Sequence, residues 1–323
     1  MLERIGNRYL RRAVGGLIAV VAVTAAWYLL SRALSPGRAV RLCEGESGSR
    51  SEFSGRLRIG AYNIAHGRGT GKSNWAPDSP QRLAAIGRLL AGEELDLVVL
   101  NEVDFDSVWS GRVDMAGVIA REAGFPYWIE QRNVDAALPG ATFRFGNAVL
   151  SRFPLSEPVR IDLPGYSWTE GLFAGRKRAL SCLVGLGGGR SVRLVAVHLE
   201  HRSERVRLLG AKRLARVAAE STVPVVLAGD LNSTPVGFPA AQPDEGGRTA
   251  VSHLLSTGIW RTLPEKEPSG KDFTFPSGDP RMVIDWVLVP AEWRVISKEV
   301  TGGDLSDHLA VVMEVEATTG AEQ

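Results

Sequence analysis

The run Val223-Pro224-Val225-Val226-Leu227-Ala228-Gly229-Asp230-Leu231-Asn232 constrains the fold most. Its apolar part is too short for a helix, and it stops at a glycine, so it reads as a buried strand with polar residues at its end. Asp230 and Asn232 are two apart, and an extended backbone would aim both at one face. A carboxylate beside a carboxamide supplies an acid or base together with a hydrogen-bond donor, the pair a phosphate ester requires. The competing reading is a turn in which both side chains bond the local backbone.

Similar strands recur along the chain, each delivering a polar group. Residues 57–64 alternate and end near Asn63, and residues 96–103 form an apolar run with Glu102 at its far end. A carboxylate after so apolar a run is costly unless paired, capped or bound to a metal. Residues 179–186 and 190–200 read as a hairpin across Gly187-Gly188-Gly189, closing on Val197-His198-Leu199-Glu200 with His198 and Glu200 on one face. Residues 282–289 carry the single acid Asp285, and the final strand, 309–315, is entered through Ser306-Asp307-His308. Helices are expected at 79–92, 112–122 and 203–220, the last with Val206, Leu209, Leu214 and Val217 inward and a basic outer face. Strands and helices alternate in two successive halves. That pattern predicts an α/β fold, a four-layer α/β/β/α sandwich of two mostly antiparallel sheets.

The N-terminus is of another kind. Residues 1–12 hold four arginines and one acid, and residues 13–30 carry no charge and end in Trp27-Tyr28-Leu29-Leu30. Eighteen helical residues span about 27 Å, enough to cross a hydrocarbon core. A cleaved signal peptide fits the same pattern, but the apolar stretch is long for one and Pro36 falls where cleavage would occur, so one transmembrane helix is expected. The charge bias places the N-terminus in the cytoplasm and the rest of the chain outside it. The expected order is a basic segment 1–12, anchor 13–30, linker 31–55, globular domain 56–317 and tail 318–323.

A net charge of +2 is too small to argue for nucleic acid by itself, and two cysteines are too few for a zinc cluster or disulfide framework. The stretch 66–73 imitates a phosphate-binding loop, but its first required glycine is His66 and no helix follows. It is expected to be a mobile basic loop beside a substrate site. Residues 162–178 mix Trp168, Phe173, Arg176, Lys177 and Arg178 in a loop.

Taken together, the stretches Tyr62-Asn63-Ile64, Asn101-Glu102-Val103-Asp104, Gly146-Asn147-Ala148-Val149-Leu150-Ser151-Arg152, His198-Leu199-Glu200, Gly229-Asp230-Leu231-Asn232, Ile284-Asp285-Trp286 and Ser306-Asp307-His308 resemble the endonuclease/exonuclease/phosphatase superfamily of metal-dependent phosphoesterases. Histidine at 198 resembles the deoxyribonuclease-like, sphingomyelinase-like and inositol-phosphatase-like branches rather than enzymes cutting at abasic sites. Asn101 departs from the glutamine usual before the metal-binding acid. The resemblance implies Mg²⁺ or Mn²⁺ at Glu102 with Asn63 and Asp307 beside it, and a His308–Asp285 pair. It further implies Asp230 acting on the attacking water, Asn232 donating to a phosphoryl oxygen, and His198 stabilising the transition state or protonating the leaving oxygen. The implied partner is a phosphodiester, either a phospholipid headgroup favoured by the anchor or a nucleic acid favoured by the basic helix. A non-catalytic scaffold that kept the fold is the remaining alternative.

Overall fold

The computed structural model describes residues 2–33, 40–45, 52–70, 79–167 and 177–318. The chain opens with helix α1 (Leu2–Ala33) and then builds strands β1 (Val40–Glu44) and β2 (Arg56–Asn63), helix α2 (Ser79–Gly92), strand β3 (Leu97–Asp104) and helix α3 (Met115–Ala123). Strands β4 (Tyr127–Leu138), β5 (Ala141–Ser151), β6 (Leu155–Asp162), β7 (Arg178–Gly187) and β8 (Arg190–His198) follow, then helix α4 (Glu204–Ala219). The chain finishes with β9 (Val225–Asp230), α5 (Ala250–Ser256), β10 (Trp260–Arg261), β11 (Asp285–Pro290), β12 (Arg294–Thr301) and β13 (Ala310–Glu316). One sheet has the order β1-β4-β5-β3-β2-β13-β12, the other β10-β11-β9-β8-β7-β6. Pairings are antiparallel except β2 with β3 and β8 with β9.

Alternation along the central strands explains the layers. Leu57, Ile59 and Ala61 on β2, Leu97 and Val99 on β3, Leu194 and Ala196 on β8, Val226 and Ala228 on β9, and Val287 and Val289 on β11 meet in one core between the sheets. Residues in the opposite phase pack outward. Val98 and Leu100 join Leu83, Ile86 and Ile119 of α2 and α3, while Val195, Leu227 and Leu288 join Ala211 and Leu214 of α4. Four layers result, as the alternation predicts.

Three local expectations are corrected. Val40–Glu44 lies inside the stretch read as a linker, yet it pairs with β4 as an edge strand, Leu42 opposite Ile129. Helix α4 turns a different face inward: Leu209 is exposed, whereas Leu208, Ala211, Leu214, Ala218, Glu204 and Arg207 are buried. Arg207 therefore leaves the basic outer face and forms a buried ion pair with Glu204 at 2.7 Å, and Glu204 also accepts from Ser233 Oγ at 2.7 Å. This pair ties α4 to the loop that follows β9. Finally, Ala65–Gly67, at the start of the stretch read as a basic loop, forms a tight turn with His66 largely buried; residues 71–78 lie outside the described residues, as do Trp168, Phe173 and Arg176.

Within α1, residues Leu10–Ser31 have mean hydropathy 2.1 and are long and apolar enough to cross a membrane. Leu17, Ile18, Val20 and Val23 are exposed. At its end, Ser31 Oγ accepts a hydrogen bond from the backbone N–H of Ala137 on β4 at 3.1 Å.

Candidate active site

The phase that fills the inter-sheet core continues past it at one end of the molecule. One further step of two residues on β2, β8 and β9 reaches Asn63, His198 and Asp230, and one step back on β11 reaches Asp285. The polar residues thus occupy inward positions at the end of the core, where the two sheets meet through hydrogen bonds instead of apolar side chains. Asp230 and Asp285 face each other in register, as do His198 and Asp230.

Glu102 reaches the same place by a different route. Regular alternation would send it outward with Val98 and Leu100. A bulge between Asn101 and Val103 in the β3–β5 pairing, with Glu102 at φ 54°, turns its side chain into the site instead. Such a left-handed glutamate is strained, and strain of this kind is retained at functional sites.

Asp230 Oδ2 is the hub. Asn63 Nδ2 donates to it at 3.1 Å and to Glu102 Oε1 at 3.3 Å. His198 Nε2 lies 3.6 Å from Asp230 Oδ2 and 3.9 Å from Glu102 Oε1; His308 Nε2 lies 3.9 Å from Asp230 Oδ2. His308 Nδ1 meets Asp285 Oδ2 at 2.9 Å. Asp307 stands beside His308, its neighbour Ser306 donating to the Asn63 carbonyl at 2.7 Å. Glu102, Asp230, Asp285 and His308 therefore join Asn63 and His198 in one cluster.

Asn232 is placed differently from the expectation. It takes φ 48° directly after the strand, so it does not continue the extended backbone. Its N–H donates to Asp230 Oδ1 at 2.8 Å and its side chain to the Leu199 carbonyl at 3.3 Å, the turn arrangement. Glu200 likewise leaves the strand and accepts the N–H groups of Arg202 and Ser203 ahead of α4.

Burial and charge sort these groups. Burial works to raise the Glu102 carboxyl, but the imidazoles of His66, His198 and His308 and the Asn63 amide outweigh it and hold it near 2. Burial and then the charge of Asp285 raise Asp230, against the pull of His308. Burial acts to lower His308, but Asp285 and then Asp230 and Asp307 raise it to about 10, so it is an imidazolium at neutral pH. Burial and then Lys177 push His198 well down, leaving it neutral. Burial raises Asp307, and Glu102 adds to the rise.

Two groupings could seat a cation. Asp230, Asp285 and His308 bring three ligand atoms within 4.8 Å of one another. There, Nδ1 of His308 is already engaged by Asp285. The second grouping is Glu102 with Asn63 and Asp307, all oxygen donors of the kind a hard divalent cation takes. Glu102 is ionised and keeps 32% of its side chain exposed. Asn63 Oδ1 accepts the Ala65 N–H at 3.0 Å and retains a second lone pair.

Several contributors escape sequence reasoning. Asn101 Oδ1 accepts the backbone N–H of Asp230 at 2.8 Å, and its amide donates to Asn147 Oδ1 at 2.8 Å, so it pins the second sheet to the first at the site. A shorter reach suits this bond, since Gly229 brings the strands so close that a Cβ there would lie 2.0 Å from the Val197 carbonyl and 2.8 Å from Asn101 Oδ1. Thr274 Oγ1 accepts the N–H groups of Ile284 and Asp285, and Phe275 packs 4.7 Å from the His308 ring. Only the arrangement of Asn101 carried a sequence signal, its place immediately before Glu102.

Residues 60–308 match the sequence model of the Endonuclease/Exonuclease/phosphatase family. Among solved structures, an endonuclease/exonuclease/phosphatase from Beutenbergia cavernae is similar at 23% identity and TM-score 0.59, over 81% of this chain and 71% of that one. One from Bacteroides vulgatus is similar at 16% identity and TM-score 0.59, over 81% and 99%. The human nocturnin catalytic domain with bound sulfate anion is similar at 16% identity and TM-score 0.59, over 88% and 99%. At these identities the likeness establishes the fold. None of the curated proteins compared with the chain matches it.

Proposed function

This chain belongs to the endonuclease/exonuclease/phosphatase family, and from that premise we propose that it is a divalent-metal-dependent phosphodiesterase held at a membrane by α1, acting on a phospholipid headgroup. The observation that carries the catalytic part is the convergence of Glu102, Asn63, His198, Asp230, Asp285 and His308 in one cluster. Glu102, with Asn63 and Asp307, would hold Mg²⁺ or Mn²⁺, which neutralises the phosphodiester charge and polarises its phosphorus–oxygen bonds.

The remaining groups divide the work by protonation state. Asp230, raised by burial and by Asp285, is placed to orient the attacking water and take its proton. Neutral His198 offers its Nε2–H to a phosphoryl oxygen. Imidazolium His308, backed by Asp285, stabilises the negative charge that builds up during attack.

The β4–β5 hairpin favours a lipid. Ala137, which bonds Ser31 at the end of the apolar helix, is followed in register by Ala136 opposite Phe143 and Val134 opposite Phe145. Phe143 packs 5.4 Å from Trp109, and Phe145 lies 5.4 Å from His66, next to Glu102. The end of the anchor and the aromatic wall of the site therefore share one hairpin, and a tether raises the local concentration of bilayer substrate. The nucleic-acid reading loses Arg207 from the basic face of α4, which covers the outer side of the second sheet.

A substrate panel on the full chain in detergent or nanodiscs tests this. Sphingomyelin, phosphoinositides, sugar phosphates, DNA and RNA are compared. Headgroup release from bilayers with little cleavage of polynucleotides is expected; cleavage of DNA or RNA with lipid untouched would reverse the substrate, and inertness toward all would favour a scaffold.

A further inference from the structure

We propose that His66 and Asp104 form a positioning pair that holds Glu102 in its cation-binding orientation, an inference that rests on the reading of Glu102 as the cation ligand. Asp104 is buried on β3 two residues beyond Glu102. Its Oδ1 meets His66 Nδ1 at 2.7 Å, and its Oδ2 accepts the Trp109 indole N–H at 2.8 Å. Trp109 thereby keeps Asp104 an acceptor, and Asp104 fixes the imidazole with its Nδ1–H inward. Burial is outweighed by the acids on either side, Asp104 first and then Glu102, which favour the imidazolium, so the second ring N–H, at Nε2, points at Glu102 Oε2, 3.4 Å away.

Two features separate this arrangement from a histidine that merely fills space. Both His66, φ 55°, and Glu102, φ 54°, occupy the left-handed region, and the two strained residues face each other. The turn that carries His66 is braced from several sides as well. Ile64 N–H bonds the Asn101 carbonyl at 3.0 Å, Ala65 N–H bonds Asn63 Oδ1 at 3.0 Å, and Arg82 Nη1 bonds the Gly67 carbonyl at 2.9 Å. The ring is boxed by Trp109 and Phe145 in edge-on contact. Glu102 Oε1 is held by Asn63 and Oε2 by His66, so both carboxylate oxygens have a fixed direction. A ligand whose carboxylate is oriented in advance binds its cation more tightly, and removing such a support costs roughly 10–100-fold in metal affinity.

The test is Mn²⁺ binding to the full chain, followed by calorimetry alongside thermal melts, for the wild type, His66→Asn, His66→Gln and Glu102→Ala. A glutamine amide can replace Nε2 toward Glu102, whereas an asparagine amide replaces only Nδ1 toward Asp104. His66→Asn should weaken Mn²⁺ binding by about 10–100-fold and His66→Gln should recover most of it, with the two variants melting alike. Wild-type affinity in His66→Asn, or a glutamine variant no better than the asparagine one, overturns the proposal. If Glu102→Ala abolishes binding while His66→Asn does not, this inference alone fails; if Glu102→Ala binds like the wild type, the reading of Glu102 falls and takes the inference with it.

Discussion

Replacing Glu102 with alanine is expected to lower phosphodiester hydrolysis by about 10³-fold or more, equivalent to roughly 4 kcal/mol of transition-state stabilisation, while moving the thermal melt little. The two halves of this result have separate causes. Glu102 is an ionised carboxylate with 32% of its side chain exposed, set on a bulge where the register between β3 and β5 breaks. Its backbone is strained, and its partners, an amide and imidazoles at 3.3–3.9 Å, lie at the long end of hydrogen-bonding range or beyond it. Little stability is therefore lost with it, whereas the cation loses its principal ligand. Hydrolysis rates and circular-dichroism melts on the purified chain decide the matter, and an unaltered rate would remove Glu102 from the ligand set.

Asp285→Asn should behave otherwise, losing both activity and stability. Asp285 is fully buried at the first residue of β11, with its carboxylate on His308 Nδ1 at 2.9 Å and its N–H on Thr274 Oγ1. Removing its charge withdraws the main support for the imidazolium, and a loss of about 10³–10⁴-fold in kcat is expected, as where a carboxylate orients a catalytic histidine. The same change weakens a buried charge-assisted hydrogen bond, which costs about 1.5–3 kcal/mol. Urea melts beside steady-state kinetics would show both. A variant with normal kcat would mean that His308 works without its partner.

The contrast between these residues also shows where the chain is readable in advance. Asn63, His198, Asp230 and Asp285 keep the inward phase of apolar strands, so the alternation of two alone brings them to one end of the inter-sheet core. Glu102 breaks that phase through a bulge, and nothing local announces it, because the residues on either side of it, Asn101 and Val103, are buried like any strand interior. Asn232 and Glu200 are expected on extended backbone, but the chain turns immediately after Asp230 and His198; Asn232 then donates to Asp230 Oδ1 and the Leu199 carbonyl, and Glu200 accepts the N–H groups of Arg202 and Ser203. On α4 the apolar stripe was misplaced because a buried Glu204–Arg207 pair occupies core positions that composition assigns to solvent. Pairing of Val40–Glu44 with β4 depends on an edge that only the folded sheet provides. Position along a strand is thus written locally, whereas partners across the fold are not.

The most direct measurement is hydrolysis of bis(4-nitrophenyl) phosphate by the full chain after stripping with EDTA. The account predicts no turnover in the stripped protein and its return when Mg²⁺ or Mn²⁺ is supplied. Turnover that persists through chelation, or none with any divalent metal, would contradict it.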